Sequence, residues 1–182
     1  MTNLRSWTRP VAALGLALSG VLLGGAAPAA LAAGGAAAVS ARSAPACTVP
    51  ALNVHKGRLE GAAGSRFLTV RVTNEGAHAC ATPGWTRYRF YNRDGGLGFR
   101  SRRNPGYDPG AAPVVIGAGD TAKSVLSWTD PGVVSRHSCH PRRAVGARLA
   151  IAGLPGRFRL HHLDTRVCTT KKYRPHGTRL SN

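Results

Sequence analysis

The chain has 182 residues and four cysteines, and its 25 Lys+Arg face only 7 Asp+Glu, for a formal net charge of +18. Once an export segment is set aside, about one ordinary domain remains, and with Met1 the only methionine, thioether metal ligands and a Met-lined groove are excluded. A charge balance this one-sided directs the protein toward polyanions, with a dispersed, solvated basic surface as the plainer alternative.

Residues 1–10 are polar and carry Arg5 and Arg9, and residues 11–23 form an apolar run followed by Ala-rich sequence. This pattern predicts a signal peptide over residues 1–32, with Ala30-Leu31-Ala32 the favoured cleavage signal and Ala27-Pro28-Ala29 and Ala44-Pro45-Ala46 as competitors. A retained anchor is disfavoured, because the apolar stretch is marginal against the roughly 20 residues a span needs. Cys47 lies too far from this run to be an acylated first residue, so the expectation is free secretion, extracellular or cell-wall associated, with no transmembrane span after cleavage. Residues 33–46 read as a flexible Ala/Gly/Pro lead-in and residues 47–182 as a single domain. An even number of cysteines behind such a leader predicts disulfides made in an oxidising compartment.

Beyond Cys47 the hydrophobic period is two. Leu68, Val70 and Val72 alternate with Thr69, Arg71 and Thr73, which predicts a half-buried strand, and Asn74-Glu75-Gly76 turns the chain. Residues 87–91 repeat the scheme, with Tyr88 and Phe90 on one face and Arg87 and Arg89 on the other; Asp94-Gly95-Gly96 supplies a tight hairpin leading to Leu97 and Phe99. Residues 100–113 hold three arginines and three prolines without periodicity and read as a long exposed loop. A short strand over 114–116, a turn over 117–120 and a strand over 121–128 follow, the last with Ala122, Ser124, Leu126 and Trp128 sharing a face. Residues 148–151, 158–163 and 167–173 complete the set. The expected fold is all-β: an antiparallel, immunoglobulin-like sandwich of seven or eight short strands, stapled by disulfides.

Four cysteines permit three pairings. Cys47 with Cys80 and Cys139 with Cys168 is favoured, because each pair joins neighbouring elements of an up-and-down arrangement. Each bridge closes a loop of about 30 residues and is worth on the order of 3 kcal/mol on a chain-entropy argument.

The landmarks occur in a recognisable order: a cysteine after the leader, Gly61 and Gly64 before a strand ending Thr73-Asn74-Glu75-Gly76, Cys80 followed by Pro83-Gly84-Trp85, and Gly119-Asp120-Thr121-Ala122 opening a strand that ends in Trp128. Over residues 47–173 this order resembles the secreted actinobacterial family known as domain of unknown function 4232. The resemblance implies an exported or surface-attached, disulfide-bonded β-sandwich, and it transfers no catalytic residue. The basicity and the Arg-rich middle segment depart from the usual member.

Metal chemistry has one candidate cluster, His137-Ser138-Cys139-His140 with His161 and His162 later, since imidazoles and a thiolate could form a partial zinc or copper shell. An oxidised Cys139 cannot ligate, so no metal or other cofactor is expected. The acids are Glu60, Glu75, Asp94, Asp108, Asp120, Asp130 and Asp164, mostly in turn contexts, with neither Gly-x-Ser-x-Gly nor His-Glu-x-x-His present. Asp108 alone sits where an acid could serve catalysis. No enzymatic activity is expected, and an extracellular enzyme or metal protein built on those histidines is the alternative.

The basic constellation carries the leading expectation. Arg87, Arg89, Arg93, Arg100, Arg102, Arg103, Arg142, Arg143, Lys171, Lys172 and Arg174 are interleaved with Tyr88, Phe99, Tyr107 and Tyr173, so guanidinium forks and aromatic faces could meet a polyanion. The expected partner is an anionic cell-wall polymer or another extracellular polyanion, with nucleic acid second. A site exists only where these segments converge.

Overall fold

The computed structural model describes residues 44–104 and 112–182. The signal-peptide reading, most of the lead-in, Tyr107 and Asp108 therefore lie outside the described residues. In chain order the strands are β1 (Leu52–Ala62), β2 (Ser65–Asn74), β3 (Cys80–Thr82), β4 (Thr86–Tyr91), β5 (Arg102–Arg103), β6 (Val114–Ile116), β7 (Thr121–Thr129), β8 (Pro141–Ile151), β9 (Phe158–Cys168) and β10 (His176–Gly177). They form one sheet in the order β1-β2-β7-β10-β5, a second in the order β4-β8-β9, and a small β3-β6 pair. The fold is all-β and sandwich-like.

Alternation decides which faces meet. Leu68, Val70 and Val72 of β2 and Ala122, Ser124, Leu126 and Trp128 of β7 are buried, as are Tyr88 and Phe90 of β4 and Ala147, Leu149 and Ile151 of β8. These rows meet in one core. Phe90 and Trp128 touch edge to face with ring centroids 5.1 Å apart, a geometry worth about 0.5–1.5 kcal/mol beyond the area buried. Ser124 sits in an otherwise apolar row without loss, because the Tyr88 hydroxyl donates to its Oγ at 3.0 Å and Thr86 Oγ1 lies 2.9 Å away. Pairing of this kind is the rule for buried hydroxyls.

The β1-β2 hairpin turns through Ala63 and Gly64, whose φ values of 46° and 73° are both positive, the backbone twist that suits a two-residue hairpin. Register shifts between Ala144 and Gly146 where β8 pairs with β9, and at Gly146 a side chain would collide with the Leu160 carbonyl and the Tyr91 hydroxyl. Cys47 bonds to Cys80 and Cys139 to Cys168. The first bridge ties the segment before β1 to β3, and the second ties the short helix Arg136–Cys139 to the end of β9. Among the described residues no helix is long and apolar enough to cross a membrane.

Several sequence expectations need correction. Among the described residues ten strands are formed, two of them only two residues long. β1 escapes pattern reading because His55, Lys56, Gly57, Arg58 and Glu60 break its alternation, and β3, β5 and β10 are too short to carry any pattern. Residues 148–151 are only the end of β8, and residues 167–173 are the end of β9 followed by a 3-10 turn over Lys171–Tyr173. Among the described strands pairing is antiparallel except between β10 and β5, which run parallel, and the isolated bridge of Ala46 to Ala81 is parallel as well. The start of the supposed exposed loop is instead anchored. Ser101 is buried, its N–H donates to the Tyr88 carbonyl at 2.7 Å, and its Oγ accepts from the Tyr88 N–H at 2.8 Å.

Candidate anion-binding cleft

The outer face of the β4-β8-β9 sheet follows from the same alternation that builds the core. With Tyr88 and Phe90 turned inward, Arg87, Arg89 and Tyr91 face outward. The register then sets Arg89 opposite Arg148 and Arg148 opposite Arg159, a cross-strand row of three arginines, with Arg87 opposite Ala150 beside it. Like charges directly opposed destabilise a sheet. The row therefore favours a bound counter-anion.

The anchored segment over 100–104 adds a second wall. Two adjoining clefts result, of about 590 Å³ and about 480 Å³. The first is lined by Arg87, Arg100, Arg102, Arg103 and Arg174 together with Trp85, and the second by Arg87, Arg89, Arg100, Arg148 and Arg157. Arg87, Arg100 and Ala150 belong to both, so the clefts are two halves of one groove. Among the described residues no acidic side chain lines either half.

Three of these guanidiniums rest on aromatic rings. Arg103 lies 4.8 Å from the Trp85 centroid, Arg148 5.5 Å from that of Tyr91, and Arg174 5.6 Å from that of Phe99. Arg174 also donates from Nε and Nη2 to the Arg100 carbonyl at 3.2 Å and 3.0 Å. Tyr91 is itself positioned by its hydroxyl, 3.0 Å from His161 Nδ1. The Arg89 side chain packs over Gly96, where a Cβ would come within 2.7 Å of its Nε. Side chains held in this way lose less freedom when a ligand arrives.

The described acids are engaged elsewhere. Glu60 pairs with Arg58, Asp130 with Arg66 and Asp164 with Arg143, Glu75 accepts from Asn53 and Asp94 from Asn92, and Asp120 serves the turn at Gly117. The Gly132 N–H, with Arg66, holds the Asp130 carboxyl below its ordinary range, and the Arg143 fork does the same for Asp164. A third cleft, of about 440 Å³, sets Arg66, Arg136 and Arg166 beside Asp130 and Asp164, so its charges largely compensate.

Of the residues singled out from sequence, the structure brings together Arg87, Arg89, Arg100, Arg102, Arg103 and Arg174. Arg142, Arg143, Lys171 and Lys172 line neither half of the groove. Arg142 and Arg143 pair with the far end of β9, opposite Val167 and Arg166, Arg143 is taken by a two-pronged bond to Asp164, and Lys172 lies over Tyr173. Tyr88 is no ligand surface but core, and burial pushes its phenol up to about 12. Sequence reasoning missed Arg148, Arg157, Arg159 and Trp85. The signal was present for two of them, since Arg148 and Arg159 occupy outward positions beside the buried Leu149 and Leu160.

The histidines do not assemble. The His137 and His140 rings meet edge to face at 6.2 Å beside Cys139, which is spent in a disulfide, and the His161 and His162 rings are 6.2 Å apart. His162 has a φ of 55° and its carbonyl accepts from Lys56 Nζ at 2.6 Å. Among the described residues no three His, Cys, Asp or Glu side chains come together in a way that could hold a metal ion.

A family model described as a domain of unknown function (DUF4232) matches residues 47–173. Every groove arginine except Arg174 falls within those residues. No curated protein and no solved structure matches the chain.

Proposed function

The chain belongs to the DUF4232 family, a membership that carries no assigned activity, and from its surface we propose a non-enzymatic, exported module that binds anionic polymers of the cell envelope through the arginine groove. The observation that carries this reading is the convergence of eight arginines on two adjoining clefts that no acid among the described residues lines. Mutually repelling guanidiniums crowded on one surface stabilise a complex with a polyanion far more than they stabilise the free protein, and they steer its approach. Export is supported by the n- and h-region pattern of residues 1–23 and by the two disulfides, which persist in oxidising compartments.

Retention of the purified protein on immobilised anionic wall polymer tests the proposal. Binding should weaken steeply as salt rises from about 50 mM to about 500 mM, where the screening length falls below the spacing of the groove charges. Retention that does not change over this range overturns it.

A further inference from the structure

Resting on that reading, we propose that the groove recognises a phosphodiester chain through its phosphates alone, seating successive phosphates in its two halves, so that the ligand is a polyol- or sugar-phosphate polymer rather than a polycarboxylate or a nucleic acid. Four features of the groove support this.

The positive charges that line it are all arginines, with no lysine among them. A guanidinium is a planar fork that forms paired bonds to oxyanions, whereas an ammonium is a point charge. Fork geometry here serves bonding to defined oxygens rather than diffuse attraction.

The forks also come from different directions. Arg87 and Arg89 rise from β4, Arg148 from β8 and Arg157 from the β8–β9 connection, while Arg100, Arg102 and Arg103 come from the anchored segment. A carboxylate accepts within a single plane. The oxygens of a tetrahedral phosphate accept from several planes at once, which suits donors on two walls.

Each nearby ring already carries a cation. Trp85, Tyr91 and Phe99 each carry a guanidinium over the face. Nucleic-acid grooves bind single strands by stacking bases on bare aromatic faces, and a base stacking on the faces that carry these cations would displace the arginine that would bind its own phosphate. Recognition therefore falls on the backbone of a chain without bases.

The groove is double, and Arg87 and Arg100 stand where its halves join. A single phosphate engages only one half. A chain fills both, and its second contact forms at the high effective concentration set by the first.

The test measures binding of the purified protein to poly(glycerol phosphate), to inorganic phosphate, to polyglutamate of equal charge, and to a single-stranded oligodeoxynucleotide with and without its bases. Poly(glycerol phosphate) should bind at least about tenfold more tightly than inorganic phosphate or polyglutamate, and the two oligonucleotides should bind alike. The paired substitution Arg87→Gln with Arg100→Gln should weaken poly(glycerol phosphate) binding by about tenfold or more. Arg71→Gln with Lys123→Gln, which removes the same charge from the outer face of the other sheet where these residues oppose one another, should change it by less than about twofold. All four side chains are exposed, so both variants should keep the parent melting temperature. Equal binding of polyglutamate overturns the phosphate assignment and leaves the general polyanion reading standing, whereas equal loss in the two variants overturns the groove as the binding site and with it both readings. Clearly tighter binding of the oligonucleotide that has its bases overturns it in favour of nucleic acid. Failure of every polymer to bind removes both readings.

Discussion

The Arg103 guanidinium lies over the Trp85 ring, 4.8 Å from its centroid, within the larger half of the groove. Both residues are fixed through their backbones. Trp85 accepts from the Ala152 N–H at 2.8 Å and bridges Arg179, while Arg103 pairs with Gly177 across the parallel β5-β10 contact. The ring presents the cation at little entropic cost, and cation–π contact adds about 0.5–1 kcal/mol where it is partly exposed.

Arg103→Lys keeps the charge but loses the stacked, planar fork, so polymer affinity should fall by about three- to tenfold with little change in salt dependence. Trp85→Leu should produce a similar loss. Because the two act as a unit, the double variant should be scarcely weaker than either single one in a binding isotherm, and full additivity would show that the contact is incidental.

Tyr88 links the sheets through Ser124, and its buried phenol titrates at about 12 rather than 10.0. Between these values the unfolded chain has released the proton that the folded chain still holds, so the unfolded state binds fewer protons and stability falls as pH rises. The full effect is about 3 kcal/mol, developed between about pH 10 and about pH 12. Tyr88→Phe should cost about 1 kcal/mol at neutral pH for the lost hydrogen bond and should flatten this alkaline decline. Urea midpoints measured at pH 8, pH 10 and pH 11, each to about 0.1 M, would expose a variant that keeps the parent slope.

The bridges Cys47–Cys80 and Cys139–Cys168 span 33 and 29 residues. Replacing either pair with alanine should cost about 3 to 4 kcal/mol and lower the melting temperature by on the order of 10 °C. The Cys139–Cys168 variant should also weaken polymer binding less than it weakens stability, because neither cysteine lines the groove. A thermal melt and a binding isotherm on the same sample separate the two effects.

Gly146 admits the Tyr91 ring, which in turn carries Arg148. Gly146→Ala should cost about 1–3 kcal/mol by overpacking, and by moving Tyr91 it should reduce affinity as well. Gly95→Ala has open space around its Cβ and costs only its backbone conformation, a φ of 141°, so it should leave affinity intact. Equal affinity losses in the two variants would disconnect Tyr91 from the groove.

Much of the scaffold was legible in the chain itself. Strict alternation at residues 67–73, 87–91 and 121–128 specified β2, β4 and β7 and their buried rows, because a period of two admits only one burial pattern once a face is covered. Charge asymmetry, visible in composition, motivates the polyanion proposal without locating the arginines that would serve it. Location required the register. Arg89, Arg148 and Arg159 are distant in sequence and become neighbours only when β4, β8 and β9 pair, and Ser101 pulls the arginine segment against β4 through bonds to the Tyr88 backbone that no local pattern encodes. The same long-range pairing carried Arg142 and Arg143 to the other end of the sheet and Asp164 onto Arg143. Local periodicity determines which side of a strand a residue faces; which other side chains share that face is decided by pairing between segments far apart in the chain.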